Sequence, residues 1–125
     1  MAYTILIVDD EPFQLLVLRE LFEMHGCRVI EATDGDEAFK IAQAEKPDLI
    51  VMDINMPKMQ GDTAIHVLRE TVETAGIGII ICSGNDKEKV ERSVTFGPKL
   101  KYHEKPVNLN RLWETSAELL GAKPD

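Results

Sequence analysis

The chain has 125 residues, 44% of them hydrophobic and 29% charged, which suits a single globular domain spanning residues 1–125. Its 22 acidic residues outnumber its 14 basic residues and give a formal net charge of −8, which argues against direct binding to nucleic acid. No apolar run approaches the roughly 20 residues that cross a bilayer, and the amino terminus lacks the features of a signal peptide, so we expect a cytoplasmic protein without membrane contact.

Five short apolar segments predict five strands. Their ranges are Thr4–Val8, Cys27–Ala32, Leu49–Met52, Ile77–Cys82 and Leu100–Glu104. The first, third and fourth are nearly continuous in Ile, Leu and Val, which is typical of strands that are covered on both faces in a parallel sheet.

Helical periodicity occupies the segments between the strands. Pro12 suits the first position of the first helix, whose predicted inward residues are Phe13, Leu16, Val17, Leu21 and Met24. Asp34 and Glu37 resemble a capping box at the start of the second helix, and its predicted apolar stripe is Ala38, Ile41 and Ala42.

Three further helices complete the pattern. The third is predicted from about Asp62, and the fourth from about Asp86 to Thr95 with only two apolar anchors. The last follows Asn108, and its predicted inward face is Leu109, Leu112, Trp113, Ser116, Leu119 and Leu120. A strand and a helix thus alternate five times, which predicts an α/β fold with a doubly wound parallel sheet of five strands and right-handed crossovers.

Candidate functional side chains follow four of the five predicted strands, while the second is followed only by Thr33 and Asp34. Asp9 and Asp10 come after the first, Asp53 after the third, Ser83 after the fourth, and Lys105 after the fifth. In an open parallel sheet these strand ends meet at one edge, so we expect the side chains to converge. Crowded carboxylates favour a hard cation with oxygen ligands such as Mg²⁺, and a lysine can pair with a carboxylate or a phosphate.

The segments "ILIVDDEP", "DLIVMDINMP", "IIICSGN" and "YHEKP" resemble, in order, the motifs of the receiver domain of two-component response regulators. The spacings are 43 residues from Asp10 to Asp53, 30 from Asp53 to Ser83 and 22 from Ser83 to Lys105. The resemblance implies a (βα)5 fold of the flavodoxin-like, CheY-like type with strand order 2-1-3-4-5.

The resemblance also implies a role for each residue at the site. Asp53 corresponds to the phosphoacceptor, which takes a phosphoryl group from a phosphohistidine. Asp10, Asp53 and the backbone carbonyl of Asn55 correspond to Mg²⁺ ligands, with Asp9 acting through water and Mn²⁺ as a substitute ion. Lys105 corresponds to the residue that holds a phosphate oxygen.

A switch of shape is implied as well. Ser83 corresponds to the hydroxyl that moves toward the phosphate, Tyr102 to the aromatic residue that turns inward, and Pro106 to a proline that follows a cis peptide. We therefore expect a signalling domain and not an enzyme. Its implied partners are a sensor histidine kinase or phosphotransfer protein and an output partner or attached output domain that the sequence does not name.

Two other functions share parts of this pattern. A Mg²⁺-dependent phosphohydrolase with an aspartate nucleophile is the main alternative, although Asn55 stands where such enzymes carry a second acid. A flavodoxin-like electron carrier would need a glycine- and hydroxyl-rich loop after the first strand, and this chain has the acidic "DDEP" there.

Overall fold

The computed structural model describes residues 2–53, 69, 74–84 and 99–121. Five parallel strands form one sheet: β1 (Thr4–Val8), β2 (Arg28–Ala32), β3 (Leu49–Met52), β4 (Gly78–Ser83) and β5 (Leu100–Glu104). The strand order is β2-β1-β3-β4-β5, so the predicted α/β fold and its order 2-1-3-4-5 are confirmed. Three predicted strand limits shift by one residue, since the second strand begins at Arg28 and both ends of the fourth move, to Gly78 and Ser83.

Three helices lie in the described ranges: α1 (Pro12–Met24), α2 (Gly35–Glu45) and α3 (Leu109–Leu120). Pro12 occupies the start of α1, as predicted. Asp34 caps α2 by accepting a hydrogen bond from the Glu37 backbone N–H at 2.8 Å, and the Glu37 carboxylate accepts one from the Thr33 N–H at 2.9 Å. This reciprocal pair fulfils the predicted capping box, with its return bond displaced by one residue.

The sheet separates two apolar layers. Leu6, Ile50 and Ile79 face the layer that contains α2, while Ile5, Val51 and Ile80 face the layer that contains α1 and α3. All six side chains are fully buried, which agrees with the continuous apolar runs in the sequence. The sheet is therefore rigidly held from both sides, and its carboxyl edge provides a fixed platform for polar side chains.

The predicted inward face of α1 is wrong. Phe13, Leu16 and Met24 are 70%, 50% and 73% exposed, and only Leu21 of the predicted set is buried. The buried residues are Leu15, Leu18, Leu21 and Phe22. Because apolar residues occur all around this helix, its periodicity fits two faces equally well, and only packing against the sheet selects one.

The other helices agree more closely with the sequence. Ala38 and Ala42 are buried in α2, and α3 buries Leu112, Trp113 and Ser116, whereas Leu109 is 37% exposed. Gly121 ends α3 in the left-handed region, at φ 73°, which a glycine adopts without strain. The predicted third and fourth helices lie outside the described residues, apart from Arg69, which is helical. Among the described helices, none has the length and apolar character needed to cross a membrane.

Candidate functional site

Backbone hydrogen bonds fix each polar residue at the carboxyl edge of the sheet. The ladder of the sheet continues one residue past the strands, because Asp9 N–H donates to the Ala32 carbonyl at 3.1 Å and Asp53 N–H donates to the Val8 carbonyl at 3.0 Å. Lys105 N–H likewise donates to the carbonyl of Ser83 at 2.9 Å. The sheet itself therefore determines where these three functional side chains start.

The side chains of Asp9, Asp53 and Lys105 meet in one cluster. The Lys105 Nζ lies 3.1 Å from Asp9 Oδ2 and 3.2 Å from Asp53 Oδ2, so a single ammonium bridges two carboxylates. The other Asp9 oxygen, Oδ1, accepts a hydrogen bond from the Glu11 N–H at 3.0 Å. Both oxygens of the nearly buried Asp9 are thus occupied by donors of this chain, while Asp10 is exposed.

Burial and charge act in opposite directions on this cluster. Burial raises the pKa of Asp9 above its ordinary value, although the Glu11 N–H and the charge of Lys105 oppose the rise. Burial alone would lower the pKa of Lys105, but its hydrogen bonds to the two carboxylates and their charges outweigh burial, and the pKa is raised. Lys105 therefore stays protonated at neutral pH and balances part of the negative charge.

Three carboxylates at this edge are placed to hold a cation. Asp9, Asp10 and Asp53 each offer an oxygen, and these oxygens lie within 4.8 Å of one another. Carboxylate oxygens of this kind, with room for water on the exposed Asp10 side, suit Mg²⁺. The donor set fits the ion: Asp10 is exposed, Asp53 has one oxygen paired with Lys105, and both oxygens of Asp9 accept hydrogen bonds from Lys105 and Glu11.

Ser83 and Tyr102 are connected through the backbone. Ser83 is fully buried at the end of β4, and its carbonyl accepts a hydrogen bond from the Tyr102 hydroxyl at 3.4 Å. The same carbonyl accepts the Lys105 N–H. The half-buried Tyr102 side chain packs against the apolar layer of α2. A displacement of Ser83 therefore acts on both the tyrosine and the lysine.

Most of the predicted site residues lie at this edge. Asn55 lies outside the described residues, so its predicted carbonyl ligand stays a prediction. The Lys105–Pro106 peptide bond is cis, in agreement with the family resemblance. The sequence reasoning missed the backbone N–H of Glu11, although a helix that starts directly after two aspartates signals an amide donor to one of them.

A second polar region adjoins Lys105. An open cavity of about 420 Å³ lies between the end of β5 and the start of α3 and is lined by His103, Glu104, Lys105, Pro106, Asn108 and Arg111. His103 Nε2 lies 2.8 Å from the Thr115 hydroxyl, which donates onward to the Arg111 carbonyl. Burial, assisted by the charge of Arg111, lowers the pKa of His103, so its ring is neutral at pH 7.

Comparison with known families decides the identity of the domain. Residues 5–116 match the model of the response regulator receiver domain. The chain belongs to this family. Membership in this family of signalling response regulators supports a signalling role over the phosphohydrolase and flavodoxin alternatives.

Relatives of this receiver domain match it over nearly its whole length. Protein PilH of Pseudomonas aeruginosa is 40% identical over 111 residues, which cover 89% of this chain and 92% of PilH. The polar-differentiation response regulator DivK of Brucella anthropi is 30% identical over 121 residues, covering 97% and 98% of the two chains. A CheY-like receiver domain protein from Methanospirillum hungatei superposes with a TM-score of 0.86 at 28% identity, covering 97% and 95%.

Proposed function

We propose that this receiver domain, residues 1–125, is a phosphorylation-dependent switch in which Asp53 accepts a phosphoryl group. The observation that carries the proposal is the cluster at the carboxyl edge, where one lysine bridges Asp9 and Asp53 beside the exposed Asp10. A nucleophilic carboxylate, further acids for a metal and a cation for the transferred charge are the components that phosphoryl transfer requires.

In the proposed reaction an Asp53 carboxylate oxygen attacks the phosphorus of a phosphohistidine. The phosphorus–nitrogen bond breaks, a phosphorus–oxygen bond forms, and the histidine nitrogen keeps the electron pair of the broken bond. The Lys105 ammonium, 3.2 Å from Asp53 Oδ2 before transfer, is close enough to pair with an oxygen of the new phosphate. The product is an aspartyl phosphate, an activated acyl phosphate.

Asp10 and Asp53, together with the Asn55 carbonyl, would hold Mg²⁺ or Mn²⁺, with Asp9 reached through water. When bound, the ion supplies positive charge that offsets the oxygens of the transferred group. Both oxygens of Asp9 are engaged by Lys105 and the Glu11 N–H, and this supports an indirect role for Asp9.

Ser83 and Tyr102 would carry the signal away from the phosphate. Movement of Ser83 toward the phosphate shifts the carbonyl that now accepts the Tyr102 hydroxyl and the Lys105 N–H. This coupling supports a two-state change that includes Ser83, the predicted fourth helix and Tyr102, and phosphorylation would shift its equilibrium.

The phosphodonor would be a sensor histidine kinase or a phosphotransfer protein, and the switched surface would act on a partner protein or an attached output domain in the cytoplasm. The matched regions cover 92% of PilH and 98% of DivK, so both are of similar length to this chain, and DivK is named as a response regulator. Family membership supports the donor class, while the identity of the partner is not specified by the site.

Phosphorylation with acetyl phosphate tests this function. We expect incorporation of one phosphate that needs Mg²⁺ and that is released by hydroxylamine, because hydroxylamine cleaves acyl phosphates and leaves phosphoserine intact. Asp53→Asn should abolish incorporation, whereas Asp10→Asn should weaken Mg²⁺ binding, so that incorporation needs a higher Mg²⁺ concentration. Lys105→Ala should retain some incorporation and lose most of the conformational response.

The phosphohydrolase alternative predicts a different result. A hydrolase would release inorganic phosphate from small phosphoesters over many turnovers. The proposed switch would release inorganic phosphate only as fast as the aspartyl phosphate on Asp53 hydrolyses. Steady release of inorganic phosphate that is lost in Asp53→Asn would favour the hydrolase and contradict the switch.

A further inference from the structure

Arg69 donates hydrogen bonds to three backbone carbonyls. Its Nη1 donates to the Ile77 carbonyl at 2.6 Å and to the Ala75 carbonyl at 3.2 Å, and its Nη2 donates to the Lys99 carbonyl at 2.9 Å. Ile77 directly precedes β4 and Lys99 directly precedes β5. One half-buried guanidinium thus joins the segments that lead into two neighbouring strands.

The side chain of Lys99 also joins the segments that lead into β4 and β5, and we call this contact region the junction. Lys99 Nζ donates to the Gly76 carbonyl at 2.9 Å, and the Lys99 carbonyl also accepts the Ile79 N–H at 2.8 Å. The Lys99 carbonyl is therefore shared by Arg69 and by the first ladder bond between β4 and β5. Loss of the guanidinium would loosen this first rung of the ladder.

The junction stands at the end of β4 and β5 opposite to the proposed phosphorylation site. Ser83, Tyr102 and Lys105 lie at or near the carboxyl ends of the two strands, and Ile77 and Lys99 lie at their amino ends. We propose that Arg69 is a conformational anchor, which ties the amino ends of β4 and β5 together and confines the rearrangement on phosphorylation to their carboxyl ends. The confining role of this anchor rests on the proposed phosphorylation switch, whereas its hydrogen bonds are observed independently of it.

The geometry calls for arginine at this position. The planar guanidinium presents several N–H donors in a fixed fork, so Nη1 and Nη2 reach carbonyls of different segments at once. A lysine offers one compact ammonium and keeps the charge, but it cannot span Ile77 and Lys99 in the same way. Arg69→Lys therefore separates the bridging geometry from the charge.

Amide hydrogen exchange at single-residue resolution tests the anchor. Without any phosphate mimic, Arg69→Lys should speed exchange of the Ile79 N–H by roughly tenfold or more, since the Lys99 segment that carries its acceptor carbonyl is then no longer held to the Ile77 segment. The Asp48 N–H, which donates to the Thr4 carbonyl at 2.8 Å at the same edge of the sheet, should keep its rate. Arg28→Lys is the matched control, because Arg28 starts β2 with an exposed side chain.

The same measurement with Mg²⁺ and beryllofluoride, a phosphate mimic, tests the confinement. In the wild-type protein the mimic should change exchange near Ser83 and Lys105 and leave Ile79 unaffected, while in Arg69→Lys the change should extend to Ile79. Unaltered exchange at Ile79 in Arg69→Lys, or equal acceleration at Asp48, would overturn the anchor. If the mimic changes exchange nowhere in the wild-type protein, the proposed switch is contradicted, and with it the claim that Arg69 confines the rearrangement. The effect of Arg69 on exchange at Ile79 without the mimic would still test the anchor itself.

Discussion

Replacement of Lys105 by methionine removes the only described ammonium that bridges Asp9 and Asp53, and it keeps a side chain of similar length. In the absence of metal we expect a less stable protein, because two carboxylates then face each other without their shared counter-charge. The energetic cost should be larger at Asp9 than at Asp53, because the Asp9 side chain is 3% exposed and the Asp53 side chain is 13% exposed, so water can replace the lysine less fully at Asp9.

The magnitude follows from these distances. At 3.1 Å and 3.2 Å the gross attraction of each pair is roughly 5 kcal/mol at an effective dielectric constant of about 20. Much of this is offset by desolvation, and the Lys105 side chain is 26% exposed, so the free energy of unfolding should fall by roughly 2–4 kcal/mol. Removal of one positive charge should also tighten Mg²⁺ binding by roughly tenfold, or about 1.4 kcal/mol.

Urea unfolding at increasing Mg²⁺ concentrations measures both effects in one series. The deficit of Lys105→Met should be largest without metal and should shrink as Mg²⁺ is added, because the variant binds the ion more tightly. Lys40→Met is the control, since Lys40 is 73% exposed in its pair with Asp36 and should cost about 1 kcal/mol or less. Equal stability and equal Mg²⁺ affinity in Lys105→Met and the wild type would refute the bridging role.

Three further predictions concern other parts of the fold. Burial and the charge of Arg111 lower the pKa of His103, so the unfolded chain binds the proton more readily and the free energy of unfolding should fall as the pH drops through about 6.5. In urea titrations His103→Gln should reduce that slope, by at most about 1.4 kcal/mol per pH unit. Leu18→Ala should cost about 2–5 kcal/mol in the same assay, while Leu16→Ala on the exposed face of α1 should cost about 0.5 kcal/mol or less. Burial raises the pKa of Cys82 to about 12, so iodoacetamide at about pH 8 should modify it only in unfolded protein, as mass spectrometry can show.

The hydrophobic patterns of the strands predicted most of this fold, because each pattern lies within a few consecutive residues. Continuous Ile, Leu and Val runs located β1, β3 and β4 to within one residue, and each run ends where the polar cluster begins. The face of α1 could not be predicted in this way. Leu15 and Leu18 pack inward while Phe13 and Leu16 point outward, and this choice depends on contacts with the sheet that lie far away in sequence.

The part of the site that lies at the strand ends could be predicted from the sequence, because the strands determine where those side chains start. Asp9, Asp53 and Lys105 meet because the ladder of the sheet continues through their backbones. The Glu11 N–H on Asp9 had a local signal, the start of a helix directly after two aspartates. The three carbonyls that accept from Arg69 had none, since any residue type can supply a backbone carbonyl.

Location of the phosphorylated residue tests the central claim most directly. The protein should be treated with acetyl phosphate and Mg²⁺, reduced with borohydride and analysed by mass spectrometry, because borohydride converts an acyl phosphate to an alcohol and thereby marks the acceptor carbon. We expect the mark to fall on Asp53 and to disappear in Asp53→Asn, while Cys82 and the histidines stay unmodified. Stable phosphate on Ser83 or on a histidine, with Asp53 unmarked, would contradict it.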